Sequence, residues 1–179
     1  VKFKGTFFVI PGVTAEAPEQ AERMKSQKRA WGSISWPELK AMSVQGHEIG
    51  SHTWTHPNLQ KLSNEERDAQ FSKAYDTILA RIGKPPLTIA FPFNAATPEV
   101  QAAALKYHIA YRAHQLGIGE KSTEASLNDW ADKLVNEKKW GIIMAHAIGD
   151  GYAALGDPEI LRRHLKYVSN RKADIWVDT

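Results

Sequence analysis

The chain has 179 residues, 42% of them hydrophobic, and a formal net charge of +3. This length and apolar content can form one compact core, so we predict a single domain over residues 1–179. Lys and Arg are dispersed among acidic residues, which argues against nucleic-acid binding, and no apolar run approaches the ~20 residues that cross a bilayer. The absence of cysteine excludes disulfides and thiolate metal ligands, and residues 1–5 lack the apolar stretch of a signal peptide.

The first part of the chain alternates strand-like and helix-like segments. β-Branched and aromatic residues favour strands, whereas Ser35 and Glu38 have the spacing of a helix capping box with a proline in the first turn. The predicted elements are, in order, a strand over Thr6–Ile10, a helical segment over 15–30, a helix from Ser35 to about Gly46 and a strand over His47–Ser51.

The second part continues the same alternation. Ser63 and Glu66 form another capping box, after which apolar residues recur at helical spacing until Gly83. The further predicted elements are a strand over Leu87–Phe91, a helix from Thr97 to about Tyr107, a strand over Ile109–Ala113, a helix over Leu127–Trp140, a strand over Gly141–Ala145, a helix from Asp157 to about Ser169 and a strand over Asp174–Val177.

Six predicted strands that alternate with helices indicate an α/β fold with a parallel sheet, since parallel neighbours need a crossover connection. Nearly continuous apolar strands fit a sheet covered on both faces, either in a barrel or in a doubly wound open sheet. Chemistry in such folds gathers where strands end. Several polar residues lie at or just beyond predicted strand ends: His52, His56, Asn94, Arg112, His114 and His146.

Two histidines four residues apart, His52 and His56, follow the predicted strand that ends at Ser51. Pro57 and Asn58 oppose a helical continuation, because proline disfavours the helical conformation in the residue before it. The pair is therefore predicted to lie on a loop, where two imidazoles can bind one divalent ion. The alternative is chance spacing among seven histidines.

The segment Gly46–Leu59, Gly-His-Glu-Ile-Gly-Ser-His-Thr-Trp-Thr-His-Pro-Asn-Leu, resembles the second motif of the polysaccharide deacetylases, also called the NodB-homology or carbohydrate esterase family 4 domain. Four other segments resemble further family features in the same order: Gly5–Val9, Ala90–Asn94, Asn128–Trp130 and Met144–His146. The resemblance covers nearly the whole chain and implies a distorted (β/α)7 barrel.

The family has seven strands, and the strand without a counterpart in this chain is the first. In the family that strand holds a Thr-Phe-Asp-Asp motif, whose first aspartate is the catalytic base and whose second completes the metal site. Either an upstream segment has been lost from this chain, or the chain is a natural truncation with altered function. Without that strand the barrel would expose apolar edges at Thr6–Ile10 and Asp174–Val177, so we expect a homo-oligomer, a second chain at the gap, or low solubility.

The resemblance implies a metal-dependent hydrolase in which His52 and His56 bind a divalent ion. Zinc suits two nitrogen ligands without thiolate, and Co²⁺, Ni²⁺ and Mn²⁺ are the alternatives. The resemblance also assigns His146 as the general acid, because an imidazolium can protonate a leaving amine or alkoxide. Asp129 would hold His146 as an ion pair. The alternatives are a partly buried structural histidine at 146 and a helix cap at Asn128-Asp129.

The residues expected to contact the substrate are five that lie in segments resembling family motifs, Pro92, Phe93, Asn94, Trp130 and Met144, and Arg112, which lies at the end of the next predicted strand. The family's Arg-x-Pro-Tyr motif appears here as Ala90-Phe91-Pro92-Phe93, so that motif lacks the arginine that orients the base. Arg112 could replace it or form a surface ion pair. Trp130, like Trp54, either walls the substrate groove or belongs to the core. Asn94 either binds substrate or forms a turn, and Met144 would line the acetyl pocket.

These expectations describe an enzyme that removes acetyl or other acyl groups from carbohydrate. The alternatives are a small-molecule or aryl esterase on the same scaffold, and a catalytically inactive relative that binds a glycan or a partner chain. The expected partner is an acylated carbohydrate or a small acyl ester. Members of this family commonly work outside the cytoplasm, so the resemblance suggests an extracellular or periplasmic location, which the chain itself leaves open.

Overall fold

The computed structural model describes residues 3–27, 32 and 34–179. The chain divides into two units, Lys4–Arg112 and Ala113–Asp178. Residues 28–30 of the helical segment predicted over 15–30 lie outside the described residues. A single domain over residues 1–179 stays a prediction.

The unit Lys4–Arg112 contains a four-stranded sheet with the strand order β1-β2-β3-β4. All three neighbouring pairs are parallel, which confirms the predicted α/β fold. The strands are β1 Thr6–Val9, β2 Glu48–Ser51, β3 Thr88–Ile89 and β4 Ala110–Tyr111. Because all four run in one direction, their carboxyl ends lie at the same edge of the sheet.

Among the residues that the structure describes, four helices accompany this sheet: α1 Pro18–Ser26, α2 Trp36–Val44, α3 Asn64–Ile82 and α4 Pro98–Ala104. Both predicted capping boxes are present, at Ser35 before α2 and at Ser63 before α3. Gly83 ends α3 with a φ of 79°, a left-handed conformation that glycine adopts without steric cost. Three short 3-10 segments lie in the loops, at Pro11–Val13, Leu59–Lys61 and Pro92–Asn94.

Two apolar clusters form the core of this unit. The first joins β1 and β2 to α2 and α3 through Val9, Ile49, Trp36, Leu39, Ile78 and Ile82. The second joins the β3 region to α3 and α4 through Leu59, Phe71, Ile89, Phe91, Val100 and Ala104. Burying each large apolar side chain contributes roughly 1.5–3 kcal/mol, so these clusters stabilise the packing of the sheet against its helices.

At the amino ends of the strands, Glu48 connects three of them. Its carboxylate accepts hydrogen bonds from Thr6 Oγ1 at 2.8 Å and from Thr88 Oγ1 at 2.7 Å. Glu48 therefore joins β1 and β3 to β2 at the edge opposite the predicted site.

The unit Ala113–Asp178 contains two parallel strands and two helices: β5 Gln115–Ile118, α5 Glu124–Glu137, β6 Ile142–Ala145 and α6 Pro158–Ser169. Its core is formed by Ile118, Leu127 and Leu155. Within the described residues, no helix of either unit combines the length and apolar character needed to cross a bilayer.

Three sequence predictions differ from this arrangement. The predicted strand over Asp174–Val177 is wrong: these residues form no strand, and Trp176 is 83% exposed. β5 is a strand that the sequence did not predict, and it follows β4 with no helix between them. The helix predicted from Leu127 begins earlier, at Glu124, because Thr123 and Ser126 form a capping box. The described strands form a four-stranded and a two-stranded sheet, and the closed barrel stays a prediction.

Candidate active site

The segment from His52 to His56 leaves the carboxyl end of β2. His52 N still donates to Val9 O of β1 at 2.8 Å, which continues the β1–β2 ladder by one residue. Thr53 then turns the chain with a φ of 68°, and its side chain is fully buried. Thr53 Oγ1 accepts a hydrogen bond from His56 N at 3.1 Å. This local bond closes the turn and brings the fifth residue of the segment back towards the first.

The two imidazoles lie side by side. Their ring centroids are 4.6 Å apart and the rings cross at 73°. His52 Nδ1 lies 2.7 Å from Ala90 O. Since a carbonyl oxygen only accepts, Nδ1 of His52 carries the proton and Nε2 carries the lone pair. A carbonyl at the outer nitrogen is the usual support of a metal-binding histidine.

This pair fits two nitrogen ligands of one ion. Two imidazoles bound to zinc through bonds of about 2.0–2.1 Å have centroids roughly 5 Å apart, close to the spacing of His52 and His56. Among residues 3–27, 32 and 34–179, no group of three or more His, Asp and Glu side chains is placed to hold a metal ion. Within the described residues, His52 and His56 are thus the two candidate ligands that lie together.

The 3-10 segment after β3 brings an aromatic ring to the pair. The Phe93 ring lies 4.9 Å from the His56 ring between centroids, at 65°. Pro92 is buried, whereas Phe93 is 66% exposed. Phe93 and Asn94 both have positive φ, at 58° and 53°, a conformation that costs non-glycine residues about 1 kcal/mol or more and that clusters at functional sites.

Arg112 follows β4 and reaches the same edge of the sheet. Its Nη2 donates to Asn94 Oδ1 at 3.3 Å, and its guanidinium lies 5.5 Å from the centroid of the Phe8 ring. Burial lowers the pKa of Arg112 from its usual value, although the group stays charged at neutral pH. Among the described residues, no carboxylate lies within ion-pair distance of Arg112.

In the unit Ala113–Asp178, His146 directly follows β6 and is exposed. Its ring lies edge-to-face with Tyr152, at 5.1 Å between centroids and 81°. Met144 lies on β6 opposite Gly117 of β5. His146 is thus at a strand end, as the sequence predicted, and Tyr152 is a neighbour that the sequence did not indicate.

Asp129 and Trp130 lie inside α5, so the reading of Asn128-Asp129 as a helix cap is wrong. Asp129 is exposed, and among the described ion pairs none joins it to His146. Asn128 Oδ1 instead accepts from Nδ1 of the buried His164 at 2.8 Å.

Trp130 packs at the amino end of β6. A Cβ placed on Gly141 would lie 2.6 Å from the Trp130 ring, so the ring covers that glycine. Gly141 is five residues before His146, roughly 16 Å along an extended strand. The structure thus places the Trp130 ring beside Gly141, and its role as a wall of the substrate groove stays a prediction.

Several groups that shape the His52–His56 turn could not be found from side-chain patterns. Ala90 contributes its carbonyl oxygen to His52, and Gly12 N donates to Trp54 O at 2.9 Å. A Cβ on Gly12 would lie 2.6 Å from that same oxygen, so only glycine fits there. In the sequence, the glycine at position 12, just after the first strand, is the feature that indicates such a close backbone contact.

Comparisons of this chain with a family model and with individual proteins indicate the same family. A family model described as polysaccharide deacetylase matches residues 1–111. The peptidoglycan-N-acetylglucosamine deacetylase of Listeria monocytogenes is 30% identical over 97 residues, which are 54% of this chain and 17% of that protein. The peptidoglycan-N-acetylmuramic acid deacetylase of Bacillus subtilis is 26% identical over 156 residues, 86% of this chain and 27% of that protein. The chain thus spans between about a sixth and about a quarter of the length of these relatives.

Solved structures show the same fold at lower identity. The family 4 acetyl xylan esterase from Clostridium thermocellum, solved in complex with a cobalt ion, superposes with a TM-score of 0.61 at 16% identity. The match covers 96% of this chain and 73% of that one.

Proposed function

Because this chain belongs to the polysaccharide deacetylase family, we propose that the protein hydrolyses acyl groups, foremost acetyl, from carbohydrate. The observation that carries the proposal is the pair His52 and His56 at the carboxyl end of β2, with ring centroids 4.6 Å apart. Strand ends are where α/β folds place their chemistry. The two curated relatives are named for peptidoglycan sugars, and we extend that substrate class, with an extracellular or periplasmic location, to this protein as part of the proposal.

His52 and His56 would hold a divalent ion, with zinc first among the candidates and Co²⁺, Ni²⁺ and Mn²⁺ as alternatives. When bound, such an ion lowers the pKa of a water molecule and polarises an acyl carbonyl. The contribution of this chain is to orient the ligands: the Nδ1–H of His52 is held by Ala90 O at 2.7 Å, and the His56 ring packs against Phe93.

The hydrolysis adds water to the acyl carbon and breaks the bond to the sugar nitrogen or oxygen. The leaving atom needs a proton, and we assign its delivery to the His146 imidazolium by the motif Met144-Ala145-His146. The products are a carboxylic acid and the sugar amine or hydroxyl. The base that takes the proton of the attacking water is assigned to no residue of this chain, since the Thr-Phe-Asp-Asp motif is not among residues 1–179.

Arg112 is proposed as the group that orients acyl or carboxylate oxygens beside the pair. Its guanidinium contacts Phe8 and Asn94, and a half-buried guanidinium that forms no ion pair with a carboxylate among the described residues can attract a negative group. Asn94 and Phe93 complete this side of the site, since both belong to the turn that contacts His56. Their positive φ values are consistent with a backbone shaped for binding.

The test is acetate release from an N-acetylglucosamine oligomer by the full-length gene product, before and after chelation. We expect turnover that a chelator abolishes and Zn²⁺ restores, and a loss of about a hundredfold or more in kcat/KM for His52→Ala and His56→Ala. His47→Ala is the matched control, because His47 precedes β2 at the opposite edge of the sheet.

Three results would contradict parts of this proposal. Turnover that resists the chelator would refute the metal assignment. Hydrolysis of 4-nitrophenyl acetate without any action on the oligomer would favour the aryl esterase. Tight binding of the oligomer without acetate release would favour an inactive glycan-binding relative.

A further inference from the structure

The loop of residues 146–155 presents an exposed aromatic ring beside His146. Tyr152 is 68% exposed, and its ring lies 5.1 Å from the His146 ring at 81°. Core packing does not explain this position, because most of the Tyr152 surface stays in contact with solvent. An aromatic ring of this kind offers a large apolar face together with a hydroxyl at its edge.

The loop that presents Tyr152 is anchored at its base. Leu155 is 1% exposed and packs in the apolar cluster with Ile118 and Leu127. Gly149 N donates to Leu155 O at 2.8 Å, and Leu155 N donates to Ala147 O at 3.0 Å. These two hydrogen bonds join the two ends of the loop, so the Tyr152 ring extends from an anchored backbone.

The backbone between the anchors is bent sharply. Gly149 and Gly151 have φ values of 88° and 122°, which suit glycine, and Ala153 has a φ of 48°, which disfavours a residue with a Cβ. Gly151 N donates to Asp150 Oδ1 at 2.8 Å, and a Cβ on Gly119 would lie 3.1 Å from Ala153 O. Backbone conformations of this cost persist where the surroundings hold them, and they concentrate at binding sites.

We propose that Tyr152 is a substrate-positioning residue that packs against the pyranose ring of the acylated sugar and holds it beside His146. This inference deepens the proposed function and rests on it. The ring face covers the apolar C–H face of a sugar, and the phenol hydroxyl can exchange hydrogen bonds with the sugar hydroxyls. Tyr152 thereby favours a carbohydrate over a small aliphatic acyl ester, because the latter offers no pyranose ring to pack.

The chain offers a matched control for an exposed aromatic residue. Trp140 is 70% exposed and precedes Gly141, at the opposite end of β6 from His146. Six residues of extended chain separate Trp140 from His146, roughly 20 Å. Trp140→Ala therefore removes a similar amount of aromatic surface without touching the proposed subsite.

The experiment compares Tyr152→Ala, Tyr152→Phe and Trp140→Ala in the full-length gene product acting on an N-acetylglucosamine oligomer. We expect Tyr152→Ala to raise KM about tenfold with kcat changed less than about threefold, and Tyr152→Phe to restore most of that loss. Trp140→Ala leaves both constants within about twofold. A KM for Tyr152→Ala equal to that of the unchanged protein, or an equal rise in Trp140→Ala, overturns the inference.

Calorimetric binding of the same oligomer to chelator-treated protein separates this inference from the proposed function. We expect Tyr152→Ala to weaken binding about tenfold and Trp140→Ala to leave it unchanged. If no variant releases acetate but the binding difference is found, hydrolysis fails and the Tyr152 subsite stands. If acetate is released and the binding of Tyr152→Ala equals that of the unchanged protein, the subsite fails and hydrolysis stands. If neither acetate release nor binding is found, both fail.

Discussion

Replacing the buried His108 by leucine tests how charge burial controls the stability of the unit Lys4–Arg112. His108 is 3% exposed, and its backbone N and side-chain Nδ1 both donate to Ala104 O at the end of α4, at 3.1 and 3.0 Å. Its ring lies edge-on to Phe71 and Tyr75, at 6.4 and 6.2 Å between centroids. Nε2 is buried and has no hydrogen-bond partner within the described residues.

The sign of the pH effect follows from this burial. Burial lowers the pKa of His108 below the unfolded value of about 6.5, and the carbonyl of Ala104 only partly opposes the shift. As the pH falls below about 6.5, the unfolded chain therefore binds a proton that the folded chain does not. Stability from this residue is fully present above pH 6.5 and falls by up to about 1.4 kcal/mol per pH unit below it, until the folded pKa is reached.

His108→Leu should remove this slope. Near pH 8 the substitution loses one hydrogen bond, about 1 kcal/mol, and also removes a buried nitrogen without a partner, so we expect a net change within about 1 kcal/mol. Urea unfolding of both proteins between pH 5 and 8, followed by circular dichroism, measures the difference. His114→Asn is the control, because His114 is exposed. Equal acid slopes for His108→Leu and the unchanged protein would refute the reasoning.

Two further predictions concern the turn and a helix start. Gly12→Ala should weaken zinc binding about tenfold or more, because its Cβ would lie 2.6 Å from Trp54 O. Gly5→Ala is the control, since a Cβ there meets nothing within 4 Å and should leave zinc binding unchanged. Equal zinc affinities of the two variants would contradict this prediction. Ser63→Ala should lower the free energy of unfolding by about 1 kcal/mol, because Ser63 Oγ accepts a hydrogen bond from Glu66 N at 3.1 Å. Urea unfolding measures this difference. An unchanged urea midpoint would show that this cap contributes nothing to stability.

Features that depend on a few neighbouring residues were predictable from the sequence. The capping boxes at Ser35 and Ser63 and the glycine stop at Gly83 are local in origin, and the structure has all three. The His52–His56 pair was predictable for the same reason, since one turn places both rings together. Each of these features involves hydrogen bonds between residues close together in the sequence, which is why short motifs indicate them.

Features that depend on partners distant in sequence were not predictable. Residues 174–177 have the composition of a strand, but within the described residues no neighbour pairs with them. β5 contains Gly117, a residue type that disfavours strands, and it pairs in register with β6. Strand propensity expresses fit to a neighbouring surface, and a single segment does not contain that surface.

The candidate site also combines features that local sequence indicates with features that depend on distant residues. The motif segment Ala90–Asn94 was identified by its side chains, but it is the backbone carbonyl of Ala90 that fixes the His52 tautomer. The ring of Tyr152, which lies edge-to-face with His146, belongs to no motif identified in the sequence. Trp130 matched its motif, but α5 directs it to Gly141 at the amino end of β6. A motif identifies residue types, whereas the packing of the helix decides which end of the strand each one reaches.

The central claim, that His52 and His56 share one metal ion, is tested most directly by zinc titration of chelator-treated protein in a calorimeter. The structure predicts one ion per chain. His52→Ala and His56→Ala should each weaken zinc binding by more than the roughly 10–100-fold that is lost when a group hydrogen-bonded to a metal ligand is removed. His47→Ala should bind as the unchanged protein does. Unaltered zinc affinity in either single variant, or two independent ions per chain, would contradict the account.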